Sequence, residues 1–426
     1  MGIKLLAYLL LPLSLLAAEP QEIFIRLRTE GQLLPIRCSF AAKEFSFSND
    51  YQKQLERIFS YDLSHNGLTC LAEEEDPLYE IHMVFSGKTV ELKLASPTMQ
   101  KRINPVTLRG NLADDRKIIH NLSDKIYQTL FGGDPIAQTR ILFTVRTKHP
   151  SEDSWLSDVY EADYDGAGAK KVTSKSGYCV TPAFIPPKEG FLSGSFLYVG
   201  YKTGQPKIYL ATMGKTEGIP LVKLAGNQLM PAITRQRDLV AFVSDVTGNP
   251  DLFLLSFDSE KGALDKPRKI FTAPLAVQGT PTFSPDGKKI AFVSNKEGAP
   301  RVWVMDIPDP GVSLQEMRPK LLSRLQRECT APAWSPDGKK IAYCSRTDGI
   351  RQIWVHDLAT GEDRQLTRGP KNKENPSWSA NSLYLVYNTS DVNDSELYVL
   401  GLKSKRFEKL PIQIPGDKHF PSWEIR

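Results

Sequence analysis

The chain has 426 residues, of which 41% are hydrophobic and 24% are charged, and its formal net charge is +5. These values are ordinary for a globular protein, and they exclude a mainly disordered chain and a protein with many membrane spans. The length predicts two domains, or one large repeat domain with a smaller one. Because the charge is slight and spread along the chain, whereas nucleic-acid binding usually needs a clustered basic patch, we expect no nucleic-acid partner.

An apolar run follows Lys4 at the start of the chain and ends in small residues. Leu5–Ala18 carries no charge, but it is shorter than the roughly 20 residues that a membrane span needs. A short apolar run behind one positive charge is typical of a cleaved secretory signal. We therefore predict a signal peptide over residues 1–18 and export of the remainder. A retained N-terminal anchor is the alternative.

Residues 19–136 combine strand and helix patterns and are predicted to form a small α/β domain with a mixed sheet. Apolar residues at helical spacing predict helices over about Tyr51–His65, with Asn49 or Asp50 as the cap, and over about Ala113–Phe131. The segments that read as strands are Ile23–Leu27, Leu34–Phe40, Leu68–Leu71 and Tyr79–Phe85.

The five cysteines include no C-x-x-C pair, so the sequence supports neither a zinc site nor thioredoxin-like chemistry. Cys38 and Cys70 both fall in predicted strands of the small domain. This placement is compatible with a disulfide between them in an oxidising compartment. Buried thiols are the alternative.

A repeat occupies the second half of the chain. Pro281–Ser294 reads PTFSPDGKKIAFVS and Pro332–Ser345 reads PAWSPDGKKIAYCS, and weaker copies lie on both sides. Each copy begins at an anchoring proline, and successive anchoring prolines lie 44–51 residues apart. These prolines are Pro182, Pro231, Pro281, Pro332, Pro376 and Pro421.

Each repeat predicts four short strands. Pro-x-aromatic enters the first strand, and Ser-Pro-Asp-Gly then reverses the chain, because Pro presets φ, Asp caps the turn and Gly accepts a positive φ. An apolar run and two further strands complete the unit. Four strands in such a period are typical of a propeller blade.

The two ends of the repeat region predict how the ring closes. Arg140–Arg146 resembles a second strand, but no Pro-x-aromatic strand precedes it. Pro421–Arg426 supplies the missing first strand at the end of the chain. Residues 137–426 are therefore predicted to form an all-β six-bladed β-propeller that the C-terminal strand closes, which removes exposed sheet edges.

The motifs of common enzymes are absent from the sequence. It has no G-x-S-x-G, G-x-G-x-x-G, P-loop or H-E-x-x-H motif, and its six histidines do not sit at ligand spacing. Asp286 and Asp337 lie in repeated hairpin turns, where a structural role is favoured over a catalytic one. We expect no catalytic residue, no metal ligand and no cofactor.

Several further motifs occur in a fixed order along the chain. They are EIFIRLR at Glu22–Arg28, an Asn-Gly turn within Asp62–Cys70, RILFTVRT at Arg140–Thr147, YDG at Tyr164–Gly166 and FPSW at Phe420–Trp423. Together with the Ser-Pro-Asp-Gly blades, they make nearly the whole chain resemble the TolB family, the periplasmic propeller proteins of the Tol–Pal envelope system of Gram-negative bacteria. Peptidases and other propellers share the repeats, so the combined order carries the resemblance.

The resemblance implies a periplasmic scaffold rather than an enzyme. In that family the propeller binds the peptidoglycan-associated lipoprotein Pal, and the N-terminal segment of the mature protein contacts TolA, an inner-membrane protein. The implied role is to link the envelope layers and to support outer-membrane integrity and constriction at cell division. Contact with the membrane would then be only indirect, through these partners, and we expect a monomer.

The repeat geometry suggests where Pal would bind. The innermost strand of each blade starts at the anchoring proline, so the residues just before the prolines ring one mouth of the central channel, a natural position for binding loops. By register, some of these residues match family positions in the Pal-binding mouth, although the residue types differ. The predicted site consists of Asn227, Met230, Gln278, Gly279, Thr280, Glu328, Thr330, Lys373, Glu374, Lys418 and His419.

The TolA-binding segment is predicted at the start of the mature chain. Its residues are Glu22, Ile23, Phe24, Ile25 and Arg26. They lie in an extended, alternating stretch that could pair with the sheet edge of a partner. An ordinary edge strand is the alternative.

Two other functions stay open at this point. A propeller-type periplasmic hydrolase or lyase acting at the central channel would need clustered acids, a metal or a nucleophile in the mouth, and the sequence shows no convincing set. A secreted adhesion propeller would be found outside the cell or on its surface.

Overall fold

The structure is a computed structural model that describes residues 32–72, 77–173, 177–188, 191–215, 217–324, 326–391 and 394–425. The predicted signal peptide, the first predicted strand and the predicted TolA-binding segment lie outside the described residues.

The N-terminal domain consists of a five-stranded mixed sheet and two helices. The sheet order is β2-β1-β3-β4-β5, with β1 parallel to β2 and β3 and the remaining pairs antiparallel. The strands are β1 (Leu34–Lys43), β2 (Thr69–Leu71), β3 (Tyr79–Ser86), β4 (Thr89–Ala95) and β5 (Gln100–Thr107). Helices α1 (Asn49–Ser64) and α2 (Leu112–Phe131) bury their apolar stripes against the sheet in one core.

One expectation for this domain is wrong, and a second question that the sequence left open, the state of the cysteines, is answered. The cap of α1 is Ser48, whose hydroxyl accepts the Tyr51 N–H at 3.2 Å, so Asn49 already belongs to the helix. All five cysteines lie in the described residues and all are thiols. Cys70 lies opposite Pro35 on the parallel neighbour of β1. Cys38 is three residues further along that strand, roughly 10 Å away, which is beyond the reach of a disulfide.

Six antiparallel sheets follow and form the predicted propeller, which the structure confirms. Blade 1 contains β30 (Asp417–Trp423), β6 (Arg140–Lys148), β7 (Trp155–Asp163) and β8 (Lys170–Lys171). Blade 2 contains β9 (Cys179–Phe184), β10 (Ser195–Gly200), β11 (Lys207–Thr212) and β12 (Ile219–Pro220). Blade 3 contains β13 (Gln228–Ile233), β14 (Leu239–Ser244), β15 (Asp251–Asp258), β16 (Gly262–Ala263) and β17 (Arg268–Phe271).

The remaining three blades repeat the four-stranded pattern. Blade 4 contains β18 (Gln278–Phe283), β19 (Lys289–Ser294), β20 (Arg301–Asp306) and β21 (Lys320–Leu321), with a short 3-10 helix at Leu314–Glu316 before β21. Blade 5 contains β22 (Thr330–Trp334), β23 (Lys340–Thr347), β24 (Ile350–Asp357) and β25 (Asp363–Gln365). Blade 6 contains β26 (Lys373–Trp378), β27 (Tyr384–Thr389), β28 (Leu397–Gly401) and β29 (Phe407–Lys409).

The C-terminal strand closes the ring as the sequence predicts. In β30, Trp423 pairs with Ile141 of β6, and its buried indole N–H donates to the Thr139 hydroxyl at 2.8 Å. The next residue, Glu424, is fully buried and accepts hydrogen bonds from the backbone and guanidinium of Arg140. These contacts join the last strand of the propeller to its first strand in the chain and so close the ring.

The turn after each inner strand shows why the repeat keeps its polar residues. In blade 4, the Ser284 hydroxyl donates to Asp286 Oδ1 at 2.5 Å, and the Lys288 N–H donates to the same oxygen at 3.0 Å. Gly287 follows with φ at +69°. Asp337 makes the corresponding bonds in blade 5. Both aspartates therefore have the structural role predicted for them.

The two ends of the ring differ. We call the end where the inner strands begin the mouth, and the end where they finish the domain face. The N-terminal domain contacts the domain face, where Asn381 of blade 6 donates to the Asn66 carbonyl at 2.9 Å and Arg235 of blade 3 pairs with Asp134 at 3.1 Å. The mouth lies at the opposite end. Among the described residues, no helix has the length and apolar character to cross a membrane.

Candidate partner-binding site at the propeller mouth

A β-bulge interrupts every inner strand at the mouth. In each blade the pairing with the second strand shifts at the residue before the anchoring proline. That residue has a positive φ in all six blades, between 32° and 54°. The six residues are Thr181, Met230, Thr280, Ala331, Asn375 and Phe420.

This conformation is costly for residues other than glycine. A left-handed backbone costs an L-residue roughly 1–2 kcal/mol, and none of the six residues is a glycine. Strained backbone and bulges concentrate at functional sites, where they aim side chains. Of these six residues, only Met230 and Thr280 belong to the site predicted from the sequence, and their conformation was not predicted.

Several predicted site residues form ion pairs and polar contacts at the mouth. Glu328 is half exposed and pairs with Arg346 at 2.6 Å, while Glu374 pairs with Arg351. Asn227 is held by Asp245, which accepts its backbone N–H at 2.7 Å and its side-chain amide at 2.6 Å.

Other predicted residues are buried in the wall of the mouth. Gln278, Lys373 and Lys418 are each less than one tenth exposed. Lys373 donates to the Lys371 carbonyl at 2.8 Å, and burial lowers its pKa. Lys418 pairs with Glu396 at 3.1 Å. These side chains shape the mouth more than they present groups at its surface.

On the inner strands at the mouth, four buried side-chain atoms have no hydrogen-bond partner within the described residues. They are Thr181 Oγ1, Gln278 Oε1, Thr280 Oγ1 and His419 Nε2. Burial, together with the positive charge of Arg146, lowers the pKa of His419. Buried polar groups are normally paired, so these atoms set the wall of the mouth apart from a fully satisfied core.

Met230 and Thr280 connect two neighbouring blades. The Thr280 N–H donates to the Met230 sulfur at 3.1 Å. Gly279 lies beside that sulfur, since a Cβ at this position would be 3.8 Å from it. Thr330 begins the inner strand of blade 5 opposite Cys344. The structure thus brings the predicted residues of blades 3 to 6 and 1 to one rim.

The sequence analysis missed apolar residues on the same face. Leu275 is 98% exposed and Val277 is 52% exposed, and both lie in the loop that leads into the inner strand of blade 4. Trp155, the first residue of β7 in blade 1, and Tyr201, directly after β10 in blade 2, are also exposed. A run of apolar residues in a loop before an inner strand, as in TAPLAVQ at residues 272–278, could have indicated the first two.

A buried polar network joins the two domains at the opposite end. His120 Nδ1 of α2 lies 2.8 Å from a carboxylate oxygen of Asp62 in α1, and the Tyr164 hydroxyl of blade 1 donates to Asp62 at 2.6 Å. Burial alone would lower the pKa of His120, but the Asp62 carboxylate outweighs that effect and raises it. The network fixes the N-terminal domain on blade 1.

Two more carboxylates adjoin this network. The Arg116 guanidinium lies 2.6 Å from Asp165 and 3.6 Å from Asp163. His120, Asp163 and Asp165 offer ligand atoms within 4.8 Å of one another, a spacing that could hold a metal ion. Because Arg116 already neutralises both carboxylates, we assign the group to domain docking.

A cavity lies where the inner strands finish, at the domain-face end of the channel. It has a volume of about 200 Å³, and residues from all six inner strands line it. Aromatic side chains of the Pro-x-aromatic motif lie in this lining, including Phe283, Trp334 and Trp378. The indole N–H of Trp378 donates to the Ala333 carbonyl at 2.9 Å. The lining therefore packs the blades together.

The fold and the mouth define a six-bladed propeller with a docked α/β domain and a strained rim at the uncovered end. A family model described as the TolB beta propeller domain matches residues 127–425. The TolB homologue of Protochlamydia amoebophila is 45% identical over 385 residues, which cover 84% of this chain and 82% of that protein. The TolB homologue of Chlamydia pneumoniae is 36% identical, with coverage of 96% and 94%.

The solved structures agree at the level of the fold. The crystal structure of TolB from Acinetobacter baumannii superposes with a TM-score of 0.72 at 22% identity, covering 93% of this chain and 97% of that one. The chain belongs to the TolB family.

Proposed function

We propose that the chain is a periplasmic scaffold of the Tol–Pal envelope system, without enzymatic activity. It binds the peptidoglycan-associated lipoprotein Pal through the propeller mouth and TolA through its N-terminal segment, and so supports outer-membrane integrity and constriction at cell division. Membership of the TolB family supports the assignment to this system. The ring of strained residues at the mouth, at the end that the N-terminal domain leaves uncovered, carries the proposal for Pal.

The chemistry of the mouth favours binding over catalysis. Glu328 and Glu374 are each held by an arginine. Paired charges on a rim provide electrostatic complementarity and register to a protein partner. The partnerless Thr280 hydroxyl adds a group that a partner can satisfy.

Calorimetric titration tests the proposal for Pal. The purified mature chain is titrated with the purified soluble domain of Pal from the same organism. Glu328→Lys places like charge beside Arg346, and Thr280→Val removes the partnerless hydroxyl with little change of shape. We expect the double variant to weaken binding at least about 10-fold without lowering the unfolding midpoint.

Glu362→Lys is the matched control, since Glu362 is exposed on a turn of blade 5 at the domain face. It should bind Pal as the wild type does. Equal binding by all three proteins would remove the mouth from the proposal, and no binding by the wild type would remove Pal.

The TolA contact is tested separately. Leu33, directly before β1, lines a cavity of about 360 Å³ between the domains, together with Tyr61, Tyr384 and Glu408. The predicted segment therefore joins the described chain beside the domain interface. A chain that begins at Gln32 should lose binding to the purified TolA periplasmic region and keep its affinity for Pal. Retained TolA binding would contradict the assignment.

A further inference from the structure

One side chain at the mouth is exposed to an unusual degree. Leu275 lies in the loop between β17 and β18, at the mouth end of blades 3 and 4, and is 98% exposed. Its φ is +56°. A leucine has no local hydrogen bond to favour this conformation, and full exposure gives its side chain no burial energy. Within the described residues, no contact offsets the energetic cost of its positive φ or of its exposed apolar side chain.

The loop around Leu275 is nevertheless fixed. Ala273 and Ala276, which flank it, are both buried, and the Ala276 N–H donates to the Ala273 carbonyl at 3.2 Å. The Val277 N–H donates to the Asn295 side chain at 2.7 Å, and the Gln278 amide donates to the Ala276 carbonyl at 3.3 Å. The loop therefore holds Leu275 outward as a preorganised apolar knob.

The knob has apolar neighbours within a charged rim. Val277 is half exposed beside it, and Met230 lies on the neighbouring inner strand. Ion pairs lie around this patch, those of Lys269 with Asp251 on blade 3 and those of Glu328 and Glu374 on blades 5 and 6. An apolar patch beside a polar rim is the usual composition of a protein–protein interface.

We propose that Leu275 is the apolar anchor of the propeller mouth, and that it inserts into an apolar recess on the folded partner domain. This inference rests on the proposed function, in which that partner is the peptidoglycan-associated lipoprotein. The recess should be bordered by charged groups, because the rim around the knob carries ion pairs. A fixed, strained loop favours this contact because little further order is lost on binding.

Two substitutions separate binding from stability. Leu275→Ala removes most of the apolar surface, and loss of a buried leucine should weaken binding about 10- to 100-fold. Leu275→Gly removes the same surface and also relieves the positive φ. This variant should bind at least as weakly while its unfolding midpoint stays the same or rises. A purely structural role for Leu275 would lower that midpoint.

The test is calorimetric titration of each mature variant with the purified soluble domain of the lipoprotein. Leu264→Ala is the control, since Leu264 is 56% exposed in a loop of the same blade 3 but at the domain face. Weaker binding by both Leu275 variants, with wild-type binding by the control, supports the anchor. Wild-type binding by Leu275→Ala overturns the anchor and leaves the proposed function standing. Absence of binding by the wild-type chain overturns both.

Discussion

The mouth and the domain face of the propeller are built from the same repeats, yet they satisfy their polar groups differently. At the domain face, the Ser-Pro-Asp-Gly turns bond their own side chains, and Asp62, His120 and Tyr164 bond one another across the two domains. At the mouth, the residue before each anchoring proline has a positive φ, and buried polar atoms of four inner-strand residues lack partners within the described residues.

This difference indicates that the domain face contributes to the stability of the fold, whereas the mouth is suited to bind another molecule. A satisfied buried network rigidifies the structure, whereas a partly satisfied one is unfavourable unless another molecule completes it. The domain face has its partner within the chain, in the N-terminal domain. The mouth is free of that domain, and we infer that its partner is a separate protein.

The largest expected effect comes from opening the ring. Removal of residues 417–426 takes away β30, so β6 and the inner strands of blades 2 and 6 lose a neighbour. Because unpaired edges recruit other chains, we expect aggregation and loss of cooperative unfolding, measured by light scattering and denaturant titration. Trp423→Phe is the control and should remain folded. A truncated chain that stays monomeric and cooperative would contradict closure by the C-terminus.

A smaller but still large effect should follow from breaking the network between the domains. Asp62→Ala leaves His120 and the Tyr164 hydroxyl buried without their partner. Removing one member of a buried ion pair costs about 3–5 kcal/mol, which denaturant unfolding would measure. Asp153→Ala, which removes an exposed pair with Lys148, should change nothing measurable. Similar effects of the two substitutions would show that the network does not hold the domains.

The two ends should also respond to pH with opposite sign. The pKa of His120 is raised in the folded state, so its contribution to stability is present below the unfolded value near 6.5 and is lost as pH rises through the folded pKa. The pKa of His419 is lowered, so its contribution is present above about 6.5 and is lost as pH falls.

Unfolding titrations at several pH values would measure both slopes. His120→Gln should reduce the loss of stability at higher pH, and His419→Gln should reduce the loss at lower pH. If both variants change the free energy of unfolding on the same side of the pH profile, acidic or basic, the contrast between the mouth and the domain face is wrong.

The smallest effect concerns strain at the mouth. Ala331 has a φ of 48° directly before its anchoring proline. Ala331→Gly removes a cost of about 1–2 kcal/mol and adds an entropic cost of about 0.5–1 kcal/mol, so a small net stabilisation is expected. Ala333→Gly, at a regular position of the same strand, should destabilise. Destabilisation of equal size by both substitutions would show that the bulge stores no strain.

The sequence predicted the propeller well because the anchoring proline of its repeat recurs six times at similar spacing. Asp286 and Asp337 identified the hairpins, and Pro421 showed which strand closes the ring. The N-terminal domain lacks such repetition. Its strands β4 and β5 were not predicted. In β4, Val90, Leu92 and Leu94 alternate with charged residues, a pattern that indicates a strand and was missed. In β5, adjacent charges at Lys101 and Arg102 and the ring of Pro105 obscure the pattern.

The candidate site was predicted only in outline. Register located Met230, Thr280 and Glu328 on one rim, but side-chain burial depends on packing between blades that sequence spacing does not show. Lys373 and Lys418 therefore looked like surface charges and are in fact buried. The exposed Leu275 was missed because an apolar residue in a loop resembles core until the fold is known.

The central claim is that the mouth, and not the domain face, receives the lipoprotein. Hydrogen–deuterium exchange of the mature chain, with and without the purified soluble domain of Pal, tests it most directly. Protection is predicted at the starts of the inner strands, in residues 228–230, 278–280, 328–331 and 373–375. The domain-face turns at residues 284–288 and 335–339 should exchange as before. Protection of those turns without protection of the inner-strand starts would contradict the account.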